Sequence, residues 1–133
     1  MPEFSVASLG HLASCDVRLH RLFNRVIRTV DCTCLEGHRG QARQEEMLRT
    51  GKSQADWPHS KHNSEPSLAV DVAPYPIDWS DRERFCLFAG FVLGVASEMG
   101  SCMIFRTFFT LSTEMCRCRV YSSSVGSRPC SCR

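Results

Sequence analysis

Apolar residues recur at steps of three and four over two long stretches of the chain. In the first they are Leu9, Leu12, Leu19, Leu22, Phe23, Val26, Ile27 and Val30. That spacing predicts one helix over 8–30 with one face turned to a core. Arg18, Arg21, Arg25 and Arg28 fall mostly on the other face, where a basic stripe reads as solvated surface. In the second stretch Phe85, Phe88, Ala89, Val92, Val95, Ala96 and Met99 form the stripe. Ser80 with Glu83 three residues on is a capping-box pattern, and Gly100 is a natural stop. A second long helix is therefore predicted over 80–99, and its phenylalanines need no ligand to explain them.

Two other stretches alternate. Residues 32–36 read as a short strand. Over 67–73, Leu68, Val70 and Val72 point one way while Ala69, Asp71 and Ala73 point the other. Residues 41–49 form a short helix stopped by Gly51, and 52–66, rich in Ser, Asn, His and Pro, form a loop. A loop of that length inside a compact domain marks a functional or mobile segment. Beyond Gly100, 102–105 and 108–111 have strand-like composition. Residues 116–133 show no clear period and read as loop or disorder. The fold class that follows is α+β: two long helices packed on a small antiparallel sheet holding 32–36 and 67–73.

Composition adds limits. A chain of 133 residues, 43% hydrophobic and 23% charged, has the size and balance of one globular domain. Its net charge of +2 is too small to argue for nucleic acid. No run of about 18 apolar residues exists, so no membrane span is expected. The first residues lack a basic segment followed by an apolar one, so synthesis in the cytoplasm without a signal peptide is expected. Charge and cysteine are unevenly spread. Through Gly100 there are 11 basic and 13 acidic residues; after it there are 5 arginines and one acid, Glu114. Five of the nine cysteines also follow Gly100. Residues 1–100 thus read as the main domain and 101–133 as an atypical, partly disordered tail. The odd cysteine count argues against a disulfide scaffold.

His62 and Asp71 are the residues with chemical promise. A hydrolytic zinc site takes three protein ligands and leaves one position for water. A His on a loop and an Asp on the next strand can reach one point, and Ala69 and Ala73 leave room beside Asp71. A hydrogen-bonded structural pair fits the same spacing.

Ser60-Lys61-His62, followed by Ser67-Leu68-Ala69-Val70-Asp71-Val72-Ala73-Pro74-Tyr75, resembles the Ser-x-His…Ala-x-Asp signature of the zinc D-alanyl-D-alanine carboxypeptidase and L-alanyl-D-glutamate endopeptidase family, which includes many phage endolysins. Glu36-Gly37-His38-Arg39 with Gln44 resembles that family's Gly-x-Arg…Gln segment. Trp79, Asp81, Phe85, Ala89 and Gly90 resemble the helix that follows the signature in phage members. The likeness covers roughly residues 8–100. It implies a zinc peptidase cutting peptidoglycan stem peptides, acting as a monomer at the cell wall after release. It also implies that His62 and Asp71 hold Zn2+ on the open face of the sheet. Arg39 would bind a substrate carboxylate or the developing oxyanion. Ser60 would orient substrate or ligand, and Gln44 would position the short helix.

The chain departs from that pattern twice. His62 and Asp71 are nine apart, where the common signature places them seven apart. The family's third ligand, a His, and its catalytic acid follow the long helix, whereas all five histidines here lie at or before His62. Three explanations stay open: a tail altered by a frame shift or prophage decay, a tail cysteine as third ligand, or His59 reaching the metal. The functional alternatives are accordingly an active zinc peptidase and an inactive remnant. A cysteine-based redox or metal sensor is a distant third.

Overall fold

The computed structural model describes residues 1–101, the strand backbones 103–109 and 116–122, and within those strands the side chains of Arg119 and Val120. The expected strand ends at Cys102 and Leu111 and the expected loop over 123–133 lie outside the described residues. In chain order the elements are α1 (Val6–Ala13), α2 (Val17–Val26), β1 (Cys32–Glu36), α3 (Gln41–Arg49), a 3₁₀ turn (Lys61–Asn63), β2 (Ala69–Pro74), α4 (Arg82–Glu98), β3 (Met103–Phe109) and β4 (Cys116–Ser122). The strands form one antiparallel sheet in the order β1-β2-β4-β3. The α+β class, β1 and α3 agree with the sequence pattern. Gly51 and Gly100 stop their helices as expected, each at a positive φ (72° and 65°) that glycine adopts without strain.

The expected helix over 8–30 is in fact two. The chain breaks at Ser14-Cys15-Asp16, where Cys15 bridges to Ser67 in parallel. Asp16 N–H donates to Ser67 O at 2.8 Å, and Ser67 N–H donates to Ser14 O at 2.9 Å. Asp16 then caps α2, its carboxylate accepting from Arg18 N–H at 2.9 Å. Both halves keep the apolar period, so periodicity alone cannot show the break. A distant segment supplies the hydrogen bonds that the interrupted helix gives up.

Two further expectations are corrected. Asp81, not Ser80, caps α4 by accepting from Arg84 N–H at 3.0 Å, while the Ser80 hydroxyl donates to Asp78 at 2.6 Å. Residues 103–109 form one continuous strand in place of two short ones. Residues 116–122, expected as loop or disorder, form β4, which pairs with β2 on one side and β3 on the other. Cys116, Cys118 and Val120 alternate with Arg117 and Arg119, a strand period that the Cys- and Arg-rich composition hides.

The core lies between one face of the sheet and the helices. Cys32 and Cys34 of β1, Val70 and Val72 of β2, and Val120 of β4 join Leu19, Leu22, Phe23 and Val26 of α2 and Phe85, Phe88, Val92 and Ala96 of α4. Each large side chain buried there contributes about 1.5–3 kcal/mol. The thiols of Cys32 and Cys34 are inert packing groups; burial pushes that of Cys32 up to about 12. α1 covers the free edge of β1, where Ser8 Oγ accepts from Cys34 N–H at 3.1 Å. β2 is buried along its whole length. Its other face, which carries Asp71, is covered by the segment around the 3₁₀ turn.

Gly37, just after β1, sits against the break between α1 and α2. A Cβ there would collide with the His11 carbonyl oxygen and the Ser14 hydroxyl. Gly37→Ala is expected to destabilise the fold by about 1–3 kcal/mol, the usual range for overpacking a tight site. Urea unfolding of the two proteins measures it.

Candidate active site

Asp71 stands in the middle of β2, on the face opposite Val70 and Val72, and is 2% exposed. Three segments earlier in the chain bring charge or hydrogen-bonding groups to it. The first is the end of β1. The register shifts between Cys34 and Glu36, so that Glu36 pairs with Asp71. Simple alternation would have put Glu36 on the core face with Cys32 and Cys34; the bulge re-aims it.

The second is the turn after β1. Arg39 is 1% exposed. Its Nη2 donates to Glu36 Oε2 at 2.6 Å and its Nη1 to Gln44 Oε1 at 3.0 Å, and Nη2 lies 3.8 Å from Asp71 Oδ2. Burying an unpaired guanidinium would cost several kcal/mol. Glu36 and Gln44 offset that cost. Gln44 is itself held: Oε1 also accepts from Asn63 Nδ2 at 3.2 Å, and Nε2 donates to Ser53 Oγ at 2.9 Å and to Ala55 O. Gln44 thus positions more than its helix, since it ties Arg39 to the 3₁₀ turn.

The third is that turn. Ser60 caps it, accepting from His62 N–H at 3.3 Å, while Asn63 Oδ1 accepts from Ser60 N–H at 3.0 Å. The Ser60 hydroxyl therefore orients the backbone that carries His62. His62 is fully buried, with Nδ1 2.7 Å from Gly37 O. A carbonyl only accepts, so Nδ1 carries the proton. Nε2, at the other end of the ring, lies 3.4 Å from Asp71 Oδ1. Among the described residues, His62 Nε2 and Arg39 Nε are the buried side-chain polar atoms without a hydrogen-bond partner.

The structure thus brings His62, Asp71 and Arg39 together and sets Ser60 behind His62. It adds a residue that sequence reasoning missed. Arg119 of β4 pairs directly across from Asp71. Its Nε donates to Oδ1 at 2.6 Å and its Nη2 to Oδ2 at 3.1 Å, a two-pronged fit with a side chain only 13% exposed. The Cys/Arg alternation of 116–120 was the available signal. Burial pushes the Asp71 carboxyl up, but His62 and Arg119 more than offset it and hold the group well below the usual carboxylate range. Glu36 behaves alike: burial raises it, the Arg39 hydrogen bond and charge outweigh burial, and the result is lowered.

A metal suits part of this arrangement. A buried imidazole fixed through Nδ1 on a carbonyl, with Nε2 turned to a carboxylate, is how a metal ligand is held. The set is not complete, however. Among the described residues no group of three His, Cys, Asp or Glu side chains converges. His59 turns to solvent and pairs with Asp56 at 2.8 Å. The side chains of Cys116, Cys118, Cys130 and Cys132 lie outside the described residues. Two carboxylates, Glu36 and Asp71, already face two guanidiniums, Arg39 and Arg119. Among the described residues, His62 and Asp71 are two of the three donors that a zinc centre takes.

Above the pair a cleft of about 380 Å³ opens, lined by His11, Leu35, Glu36, Arg43, Asp71 and Trp79. Arg43 at its rim reaches Glu36 Oε1 at 3.3 Å. The Trp79 ring stacks on Phe85 of α4 with centroids 5.8 Å apart, which fixes that wall to the core.

Residues 2–115 match the family model of the phage L-alanyl-D-glutamate peptidase. The match runs through β3 and ends before β4, so Arg119 lies beyond it. The crystal structure of the Serratia marcescens L-Ala D-Glu endopeptidase ChiX is similar over 91% of this chain and 90% of that one, with a TM-score of 0.70 and 26% identity. Comparison with curated protein sequences gave no match.

The low Asp71 value has a consequence for stability. Its contribution is fully present above the unfolded-state value of about 3.9 and is lost as pH falls from there through the depressed folded value. Urea unfolding followed from about pH 6 to about pH 2 is expected to show stability falling in acid. The slope is expected to be shallower in Asp71→Asn, which has no proton to take up.

Proposed function

Because the chain belongs to the phage L-alanyl-D-glutamate peptidase family, we propose that it hydrolyses the stem peptide of peptidoglycan, at the bond between L-alanine and D-glutamate, in the cleft above His62 and Asp71. The observation that carries this reading is the buried His62 ring, locked on Gly37 O and turned to Asp71 at the foot of an open cleft. That is a costly way to bury an imidazole unless Nε2 has a task.

His62 and Asp71 would be the two zinc donors of the site. Arg43 stands at the rim of the cleft, held between Glu36 at 3.3 Å and Glu46 at 2.7 Å. Arg43, half exposed, is placed to meet a substrate carboxylate. Arg39 is wholly buried and engaged by Glu36 and Gln44. Its role in this reading is to steady charge at Asp71 and Glu36 and to reach a developing oxyanion only through a shift of its Glu36 partner. Ser60 acts through the backbone of His62. Carboxypeptidase action on the terminal D-alanine is the related specificity, separated from endopeptidase action by the product released. The protein would act as a monomer on wall peptides. No helix among the described residues is long and apolar enough to cross a membrane.

A second reading is favoured by a specific observation. Arg119 holds both oxygens of Asp71 and no third donor converges among the described residues. A remnant that keeps the fold and has lost the reaction would look like this.

Incubation of purified protein with muropeptides and added zinc, followed by mass spectrometry, separates the readings. Cleavage between L-alanine and D-glutamate is expected. His62→Ala is expected to lower it by more than about 100-fold, the upper range for losing a mere outer partner of a metal ligand. Absence of cleavage at every zinc concentration leaves the remnant.

A further inference from the structure

We infer that Arg119 is a built-in cation of the Asp71 site, competing with zinc for the carboxylate and so acting as a latch on the metal position. This rests on the reading of His62 and Asp71 as the zinc pair. Four observations carry it.

The first is register. β4 is paired on both sides, and its alignment with β2 sets Arg119 directly opposite Asp71. The guanidinium is delivered by the sheet and does not wander to its partner from a loop. The second is geometry. Nε and Nη2 engage Oδ1 and Oδ2 separately, at 2.6 and 3.1 Å, so neither carboxylate oxygen lacks a cationic partner. A metal taking Asp71 as ligand has to share or displace that fork.

The third is charge. Glu36 and Asp71 are matched by Arg39 and Arg119 in a site from which water is largely excluded. Adding a divalent ion leaves two uncompensated positive charges there, and a poorly solvated site resists them strongly. Withdrawing Arg119 removes one of those charges and frees both oxygens of Asp71. The fourth is the imidazole. His62 Nε2 is buried, has no hydrogen-bond partner and lies 3.4 Å from the same carboxylate. Arg119 satisfies Asp71 and leaves His62 unsatisfied. The pair is therefore half closed: Asp71 is taken by the arginine, while His62 Nε2 has no hydrogen-bond partner.

Zinc affinity tests the latch without reference to cleavage. Equilibrium dialysis against zinc is run on the unmodified chain, Arg119→Gln, and Arg119→Gln combined with His62→Ala. Glutamine keeps a polar side chain on the strand but removes the charge. Arg119→Gln is expected to bind one zinc at least tenfold more tightly than the unmodified chain, and the added His62→Ala is expected to abolish the gain. Equal affinity in the unmodified chain and Arg119→Gln overturns the inference, as does a gain that survives loss of His62. Should Arg119→Gln fail to fold, the unmodified chain and His62→Ala are heated with and without excess zinc. A midpoint that zinc leaves in place supports the latch; one that zinc raises strongly, and only when His62 is present, overturns it. If zinc binds as the latch requires and muropeptides are never cut, the peptidase reading fails and the latch stands. If the unmodified chain binds zinc tightly and cuts, the reverse holds.

Discussion

A carboxylate buried in the middle of a sheet must be matched by positive charge, and Asp71 imposes that condition on everything around it. Its two oxygens meet Arg119 across the strand pair, while Arg39 stands 3.8 Å away and His62 3.4 Å. Arg39 in turn has to be buried, which requires Glu36 on the same side of the sheet. Glu36 is there because β1 carries a bulge at that point. The irregularity of β1, the capped turn under His62 and the hub of bonds around Gln44 are all parts of one arrangement. Each keeps a charged or polar group satisfied close to a carboxylate that water barely reaches.

The same arrangement links the core to the cleft. The break between α1 and α2 lets the Ser14–Asp16 segment bond to Ser67, just before β2. Gly37 packs against that break and gives its carbonyl to His62. The orientation of the imidazole therefore depends on helix packing on the far side of β1. A small residue at position 37 is needed for both contacts. On the opposite side Trp79 stacks on Phe85, so the cleft wall is anchored in α4. The site is positioned by rigid elements and not by the long loop alone.

Family membership and the donors found around Asp71 among the described residues meet at β4. Chemistry in this family is expected to draw on residues that follow the long helix. Here the sheet after α4 is present, but the central strand contributes an arginine to Asp71 in the described residues. β4 gives β2 its hydrogen-bonded partner on that edge, and a sheet edge is satisfied by any backbone. The side chain it delivers is a separate matter, and a guanidinium satisfies a buried carboxylate as readily as a metal does.

Local pattern by itself determined much of this. Alternation gave away β1 and β2, the period of 3.6 found α4 and both halves of the first helical stretch, and glycines marked two helix ends. The Ser60–Asp71 segment pointed to His62 and Asp71, and Gly37-His38-Arg39 to Arg39, because those short spans keep their chemistry in sequence order. Tertiary structure decided the rest. The break at Cys15 depends on hydrogen bonds to Ser67, which no local period records. The cap of α4 passed to Asp81 because Ser80 is drawn to Asp78. β4 was masked by a composition of Cys, Arg and Ser that resembles a loop, and its place between β2 and β3 is a matter of pairing. Arg119 meets Asp71 only through that pairing, across 48 positions of chain. A charge balance is a property of which groups end up adjacent, and adjacency of that kind belongs to the folded sheet.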